Sequence, residues 1–176
     1  MKPASTSGGA DGLVADVRAV RARYDRLAPP EVAALRRCRT AADVVLDGTY
    51  WRIGGKLAER QTHLAHVILL FPHARHDESR RFAMGTFLRR TLGDEAGAQR
   101  RFRRLLDSRE RDELDRRLGS VLRLACSGGR GVDWGVLGRD ILSFFAEGDD
   151  VKRRWARTFY TVAHTSPRAP VPKEAA

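Results

Sequence analysis

The residues that could bind a metal are two pairs of histidines, each with two residues between its members. His63 and His66 fall in an apolar segment, whereas His73 and His76 fall in a polar one. This spacing can place two imidazoles on one face of a helix, where they could act as metal ligands. Neither pair has a nearby pair of cysteines, and histidines on a helix surface or in helix packing show the same spacing. We therefore expect no metal site and no cofactor.

Sequence motifs of catalysis are absent. The chain has no His-Glu-x-x-His, no P-loop, no Gly-x-Ser-x-Gly and no Gly-x-Gly-x-x-Gly. Its carboxylates mostly stand beside arginines, as in the segment 109–113, which is typical of a salt-bridged solvent face. The sequence thus indicates a protein that is not an enzyme.

Arginine is the residue type whose number and spacing indicate a function. The 176-residue chain has a formal net charge of +11, and only four of its 33 basic residues are lysines. A positive field favours anionic partners, nucleic acid before anionic membrane. Guanidinium groups suit nucleic acid because they pair with phosphate oxygens and stack on bases.

The densest arginine cluster lies in the segment 98–106. On a helix, Ala98, Phe102 and Leu105 form one apolar stripe. The arginines opposite or beside that stripe are Arg100, Arg101, Arg103 and Arg104. No acid within the segment relieves the repulsion of like charges four residues apart, and a polyanion would relieve it. A solvated face in an arginine-rich protein is the alternative interpretation.

The elements that position these residues are predicted to be helices. Apolar residues recur at spacings of three and four in the segments 12–27, 31–39, 56–71, 79–92, 98–106, 109–125, 134–146 and 151–163, with a less regular segment at 43–55. No alternating strand of useful length is present. We expect an all-α fold of two small helical-bundle subdomains, with about eight to nine helices.

The predicted divisions of the chain are a flexible N-terminal arm at 1–11, an N-terminal subdomain at 12–93, a C-terminal subdomain at 94–164 and a disordered tail at 165–176. Asp133 and Asp149 are expected to cap helices. Gly85 stands in mid-helix, where glycine costs about 1 kcal/mol against alanine, so it marks a close contact.

Membrane and secreted classes do not fit the sequence. No run of about 18 apolar residues exists, so no membrane span and no membrane partner are expected. The two cysteines, Cys38 and Cys126, are far apart and are read as reduced thiols. We expect a cytoplasmic protein.

Arginines on several helix faces favour binding to phosphates without reading of sequence. Those expected to point outward are at 36–37, 89–90, 100–104, 116–117 and 153–157. A helix-turn-helix regulator would need base-contacting side chains, and the arginine-rich segment offers only Gln99. Exposed aromatics for base stacking are not evident, and Trp134, Trp155 and Phe159 are expected in the core.

The order and spacing of several segments resemble the CasB family, the small subunit of the type I-E CRISPR surveillance complex Cascade. The segments are 33–37, 69–71, 84–88, 100–106, 132–142 and 154–160. The most specific are the helix start Val132-Asp133-Trp134 and the late run Arg154-Trp155-Ala156 with Phe159-Tyr160. The resemblance covers about residues 33–160.

The resemblance implies an all-helical, non-catalytic subunit that holds guide RNA and target DNA, including the displaced single strand. Sequence would be read by base pairing, as in other RNA-guided systems. The implied partners also include the other Cascade subunits and a second copy of the chain within the complex.

The site residues implied by the resemblance are arginines that match basic family positions. These are Arg36, Arg37, Arg100, Arg101, Arg116 and Arg117, with Arg60 and Arg89 as looser matches. Arg103 and Arg104 stand at positions that are often apolar or polar in the family, so the resemblance assigns them no role. Two other functions stay open: a helical adaptor for acidic protein partners, and a helix-turn-helix DNA-binding regulator.

Overall fold

The computed structural model describes residues 7–79, 84–92, 96–127, 129–146 and 149–161. The helices of the first part are α1 (Ser7–Tyr24), α2 (Pro29–Arg37), α3 (Ala41–Leu46), α4 (Gly48–Gly54), α5 (Lys56–Arg60) and α6 (Leu64–Leu70), followed by a 3-10 turn (Phe71–His73). The later helices are α7 (Met84–Leu92), α8 (Ala96–Leu106), α9 (Arg111–Ala125), α10 (Trp134–Leu142) and α11 (Asp150–Thr161). Two short strands, β1 (Arg75–His76) and β2 (Gly131–Val132), pair in parallel.

The predicted helical fold class is confirmed. The described residues form eleven α-helices, more than the eight or nine expected, because two predicted segments are each divided. None of the described helices has the length and apolar character needed to cross a membrane.

Helix α6 lies at the centre of the core because nearly all of its side chains are apolar. Its buried residues are Leu64, Ala65, Val67, Ile68 and Leu70. Such a helix is stable only when neighbours surround it, and α3, α9 and α10 pack on it. The preceding α5 keeps Lys56, Glu59 and Arg60 in solvent. The single helix predicted over 56–71 is therefore wrong, since the chain must turn at 61–63 to pass from the surface into the core.

Helix α1 packs against α10, which joins the two halves of the sequence. Gly138 permits the approach, because a Cβ there would lie 2.5 Å from Cγ1 of Val17. Asp133 caps α10 as predicted, accepting from the backbone N–H of Gly135, and it also accepts from Arg18 of α1 at 2.6 and 3.1 Å. Burial opposes its ionisation, yet Arg18 and the backbone donors hold the pKa of Asp133 below its usual value.

Helix α7 packs as closely against α11. The contact predicted for Gly85 is confirmed, since a Cβ there would lie 2.7 Å from the backbone nitrogen of Phe159 and nearer still to the carbonyl oxygen of Trp155. Phe102 of α8 stacks on Phe159 with 4.0 Å between ring centroids. The apolar stripe of α8 is therefore anchored on the same helix pair, and Trp134, Trp155 and Phe159 are fully buried as expected.

Helix α1 begins at Ser7, so the predicted arm is helical in its last residues. Once a helix has nucleated, each added residue gains a backbone hydrogen bond, which favours this extension. Residues 1–6, the predicted boundary at Gly93 and the predicted tail at 165–176 lie outside the described residues. The division into two subdomains therefore stays a prediction, and one apolar core includes residues from both predicted parts.

Candidate nucleic-acid interface

The first basic surface is α8. Its apolar stripe is buried, as the sequence predicts, while its four arginines are exposed. Arg100 and Arg101 have no ion-pair partner among the described residues. Tyr160 of α11 lies near Arg103 and raises the pKa of its guanidinium. We call the surface formed by Arg100, Arg101, Arg103 and Arg104 the α8 bank.

The second basic surface is a cleft of about 850 Å³ between the end of α2, the end of α6 and α9. Arg36 and Arg39 line it from the α2 side, and Arg116 and Arg123 line it from α9. The lining is mixed, because apolar and acidic side chains stand beside the four guanidinium groups. Four guanidinium groups would favour an anionic ligand. We call this site the basic cleft.

A smaller cavity of about 370 Å³ continues the basic cleft, and Arg36 and His73 line both spaces. It adds Arg75 and Arg130, from two segments that the pairing of β1 with β2 holds together. The two cavities thus adjoin, and arginines from separate parts of the chain line both of them.

His73 stands where the two cavities meet. Burial and the charge of Arg123 lower its pKa. Nη1 of Arg123 lies 3.3 Å from Nε2 of His73. A neutral imidazole can accept a hydrogen bond from the guanidinium, so His73 orients Arg123 at the edge of the cleft.

Two acidic residues of α9 also line the basic cleft, one turn apart. Asp115 is 5% exposed, and its Oδ2 lies 2.6 Å from Nδ1 of His66 on α6. Burial raises the pKa of Asp115, although the hydrogen bond with His66 opposes the shift. Its Oδ1 is buried and has no hydrogen-bond partner within the described ranges. Asp112 is exposed.

The eight arginines predicted to bind nucleic acid do not form one surface. Those in the basic cleft or the α8 bank are Arg36, Arg116, Arg100 and Arg101. Arg37 is exposed at the end of α2. Arg60 is exposed on α5, where its Nη2 lies 3.3 Å from a carboxylate oxygen of Asp16.

Arg89 and Arg117 are engaged within the chain. Arg89 is only 8% exposed, and its guanidinium lies 5.7 Å from the ring centroid of Phe159. Its expected outward orientation is wrong, because it lies on the side of α7 that packs against α11. Arg117 donates to the backbone carbonyl of Arg104 and pairs with Glu113 at 2.5 Å.

Sequence reasoning missed five arginines that line the two cavities. They are Arg21, Arg39, Arg75, Arg123 and Arg130. Each of these is a single arginine, whereas most of the predicted site residues are adjacent pairs. A signal was available for one of them, since Arg116 and Arg123 are seven residues apart and share a helix face.

Two exposed aromatic rings were also missed. Trp51 is half exposed, and its indole N–H donates to the carbonyl of Val45 at 3.0 Å. Tyr160 is exposed beside Arg103. The sequence makes no exposed aromatic ring evident, and these two positions correct that expectation.

Comparison with known proteins gives one family and one related structure. The family model of the CRISPR-associated protein Cse2 matches residues 31–160. The crystal structure of CasB from Thermobifida fusca is similar with a TM-score of 0.60 and 19% sequence identity, over 89% of this chain and 99% of that one. At that identity the likeness shows a shared fold. No curated protein matches the sequence.

Proposed function

This chain belongs to the Cse2 family of CRISPR-associated proteins, and on that premise we propose that it is a non-catalytic subunit of a type I-E Cascade complex. It binds nucleic acid through the basic cleft and the α8 bank and helps to hold the open R-loop during antiviral defence. The observation that carries the proposal is the convergence of Arg36, Arg39, Arg116 and Arg123 on one cleft.

The cleft supports recognition of the phosphate backbone rather than of bases. Guanidinium groups pair with phosphate oxygens through two donors, and such contacts carry no sequence information. They stay protonated at any physiological pH, so they hold phosphates and do not move protons. Both properties fit a subunit that leaves sequence reading to guide–target base pairing.

A single strand is the partner that we propose for the basic cleft. Duplex DNA is stiff over about 50 nm, whereas an unpaired strand can bend into a space between helices. The displaced DNA strand and unpaired guide RNA both have this property. The other Cascade subunits and a second copy of this chain are proposed as protein partners within the complex.

The test is fluorescence anisotropy of the purified protein with unrelated single-stranded DNA and RNA oligomers across a salt series. The cleft variant carries Arg36→Ala, Arg39→Ala, Arg116→Ala and Arg123→Ala. The control loses the same charge from exposed arginines elsewhere, through Arg26→Ala, Arg109→Ala, Arg153→Ala and Arg157→Ala. Because both variants lose four charges, any difference between them reports position.

Each phosphate contact on a single strand contributes about −0.7 to the slope of log K against log salt concentration. We expect the cleft variant to lose about 3 from that slope and the control to lose less than about 1. Equal losses in the two variants would refute the cleft assignment. Absence of binding to any nucleic acid would favour the protein adaptor, and about 10³-fold discrimination among DNA sequences would favour the regulator.

A further inference from the structure

Two acidic side chains in the wall of the basic cleft and a histidine next to them have the chemistry of metal ligands. His66 of α6 and the two acids of α9, Asp112 and Asp115, each offer one donor atom, and these atoms lie within 4.8 Å of one another. Asp112 and Asp115 stand three residues apart on one helix face. The packing of α6 against α9 brings the imidazole to them.

A second, independent observation points to a ligand at this site. Oδ1 of Asp115 is buried and has no hydrogen-bond partner in the described part of the chain, while Oδ2 contacts His66. A buried carboxylate oxygen without a partner is costly, and native proteins normally satisfy such atoms. Asp115 lines the basic cleft, so a ligand that reaches this atom can enter from there.

We propose that His66, Asp112 and Asp115 bind a divalent first-row metal ion whose open coordination position takes a phosphate oxygen of the strand in the basic cleft. One imidazole nitrogen and two carboxylate oxygens are ligands that Mn²⁺ and Zn²⁺ accept. Three protein ligands leave at least one position for an external group. The phosphate part of this inference rests on the proposed function, and the metal part does not.

Positive charge around the site makes metal binding and strand binding depend on each other. Arg111 and Arg116 are on the same helix, and Arg36, Arg39 and Arg123 line the same cleft. These charges weaken the site for a cation in the free protein. Phosphates of a bound strand neutralise them, so the strand strengthens metal binding and, by linkage, the metal strengthens strand binding.

The first experiment measures the metal alone. Mn²⁺ is titrated into the full chain without nucleic acid, and the free ion is followed by electron paramagnetic resonance. Asp112→Asn removes an exposed ligand, while Asp107→Asn removes an exposed carboxylate outside the cleft. We expect at least about tenfold weaker Mn²⁺ binding for Asp112→Asn and unchanged binding for Asp107→Asn. Equal binding in all three proteins, or no bound ion in the parent chain, would overturn the inference.

The second experiment repeats the single-strand titration with and without Mn²⁺. Free divalent ions compete for phosphates and weaken ordinary protein–nucleic acid binding. We expect Mn²⁺ to tighten binding by the parent chain and by Asp107→Asn, and to weaken binding by Asp112→Asn. Without Mn²⁺, Asp112→Asn should bind at least as tightly as the parent, because it removes a negative charge from the cleft.

The outcomes separate this inference from the proposed function. Strand binding that depends on the cleft arginines but is weakened equally by Mn²⁺ in all proteins would refute the phosphate bridge and leave the proposed function intact. A Mn²⁺ site that requires Asp112, in a protein that binds no strand, would refute the proposed function and the bridge while the metal site stands.

Discussion

Replacing Gly85 by alanine tests the packing that anchors the α8 bank. A Cβ at this position would overlap the backbone of α11 at Trp155 and Phe159, with 2.7 Å to the Phe159 nitrogen. Ordinary contacts need about 3.4 Å or more, and a backbone atom in a packed helix cannot rotate away. Helices α7 and α11 must therefore separate, and overpacking of this kind costs about 1–3 kcal/mol.

Alanine also gains helix propensity over glycine, by about 1 kcal/mol. Because the Cβ would meet backbone atoms that cannot move aside, the overpacking cost falls at the upper end of that range, about 2–3 kcal/mol. The net expectation for Gly85→Ala is therefore destabilisation by about 1–2 kcal/mol, which lowers Tm by about 3–6 °C in a chain of this size. Gly12→Ala is the matched control, because it lies within α1 and a Cβ there meets nothing within 4 Å. It should gain stability by about 0.5–1 kcal/mol.

The assay is thermal unfolding followed by circular dichroism on both variants and the parent. We expect Tm to fall for Gly85→Ala and to rise for Gly12→Ala, although both variants replace glycine by alanine. Shifts in the same direction, or a more stable Gly85→Ala protein, would refute the close approach of α7 to α11.

Three further changes test the site and its support. Arg100→Ala with Arg101→Ala should reduce the single-strand salt slope by about 1.4, measured by anisotropy; an unchanged slope would exclude α8 from the interface. The free energy of unfolding of the parent should fall between about pH 7 and pH 5, and His73→Gln should reduce that fall, as measured by urea unfolding. The pKa of His73 is lowered, so the unfolded chain takes up the proton first and acid destabilises the parent. Asp140→Ala should lower the free energy of unfolding by about 3–5 kcal/mol in the same assay. The buried carboxylate of Asp140 accepts from the indole N–H of Trp155 at 2.7 Å and from two arginines. A loss below about 1 kcal/mol would contradict that network.

Local patterns in the sequence predict the parts of the molecule that depend on one helix at a time. The stripe of α8 and the cap at Asp133 follow from spacing and residue type within a few positions. The mid-helix Gly85 also predicts its contact, since glycine there has a cost that only a close neighbour offsets. These features need no knowledge of which helices meet.

The basic cleft could not be predicted in the same way, because it depends on which helices become neighbours. Arg36 and Arg123 stand far apart in sequence and meet only because α2 and α9 flank the end of α6. For Arg89 the sequence predicts a solvent-facing side chain that the fold instead covers. The sequence predicts an exposed arginine on an amphipathic helix, but α7 has packed neighbours on more than one side, and the guanidinium is covered.

Helix α9 contacts both basic surfaces and fixes their position relative to each other. One face of α9 contributes Arg116 and Arg123 to the basic cleft. Arg117, on another face, donates to the carbonyl of Arg104 near the C-terminus of α8. The negative end of the helix dipole lies there and also favours a positive charge. Arg117 also pairs with Glu113 of α9, so it links the end of α8 to α9 and fixes the α8 bank relative to the basic cleft. Adjacent arginines of one sequence pair thus have different roles, which follow from the face of the helix and not from the residue type.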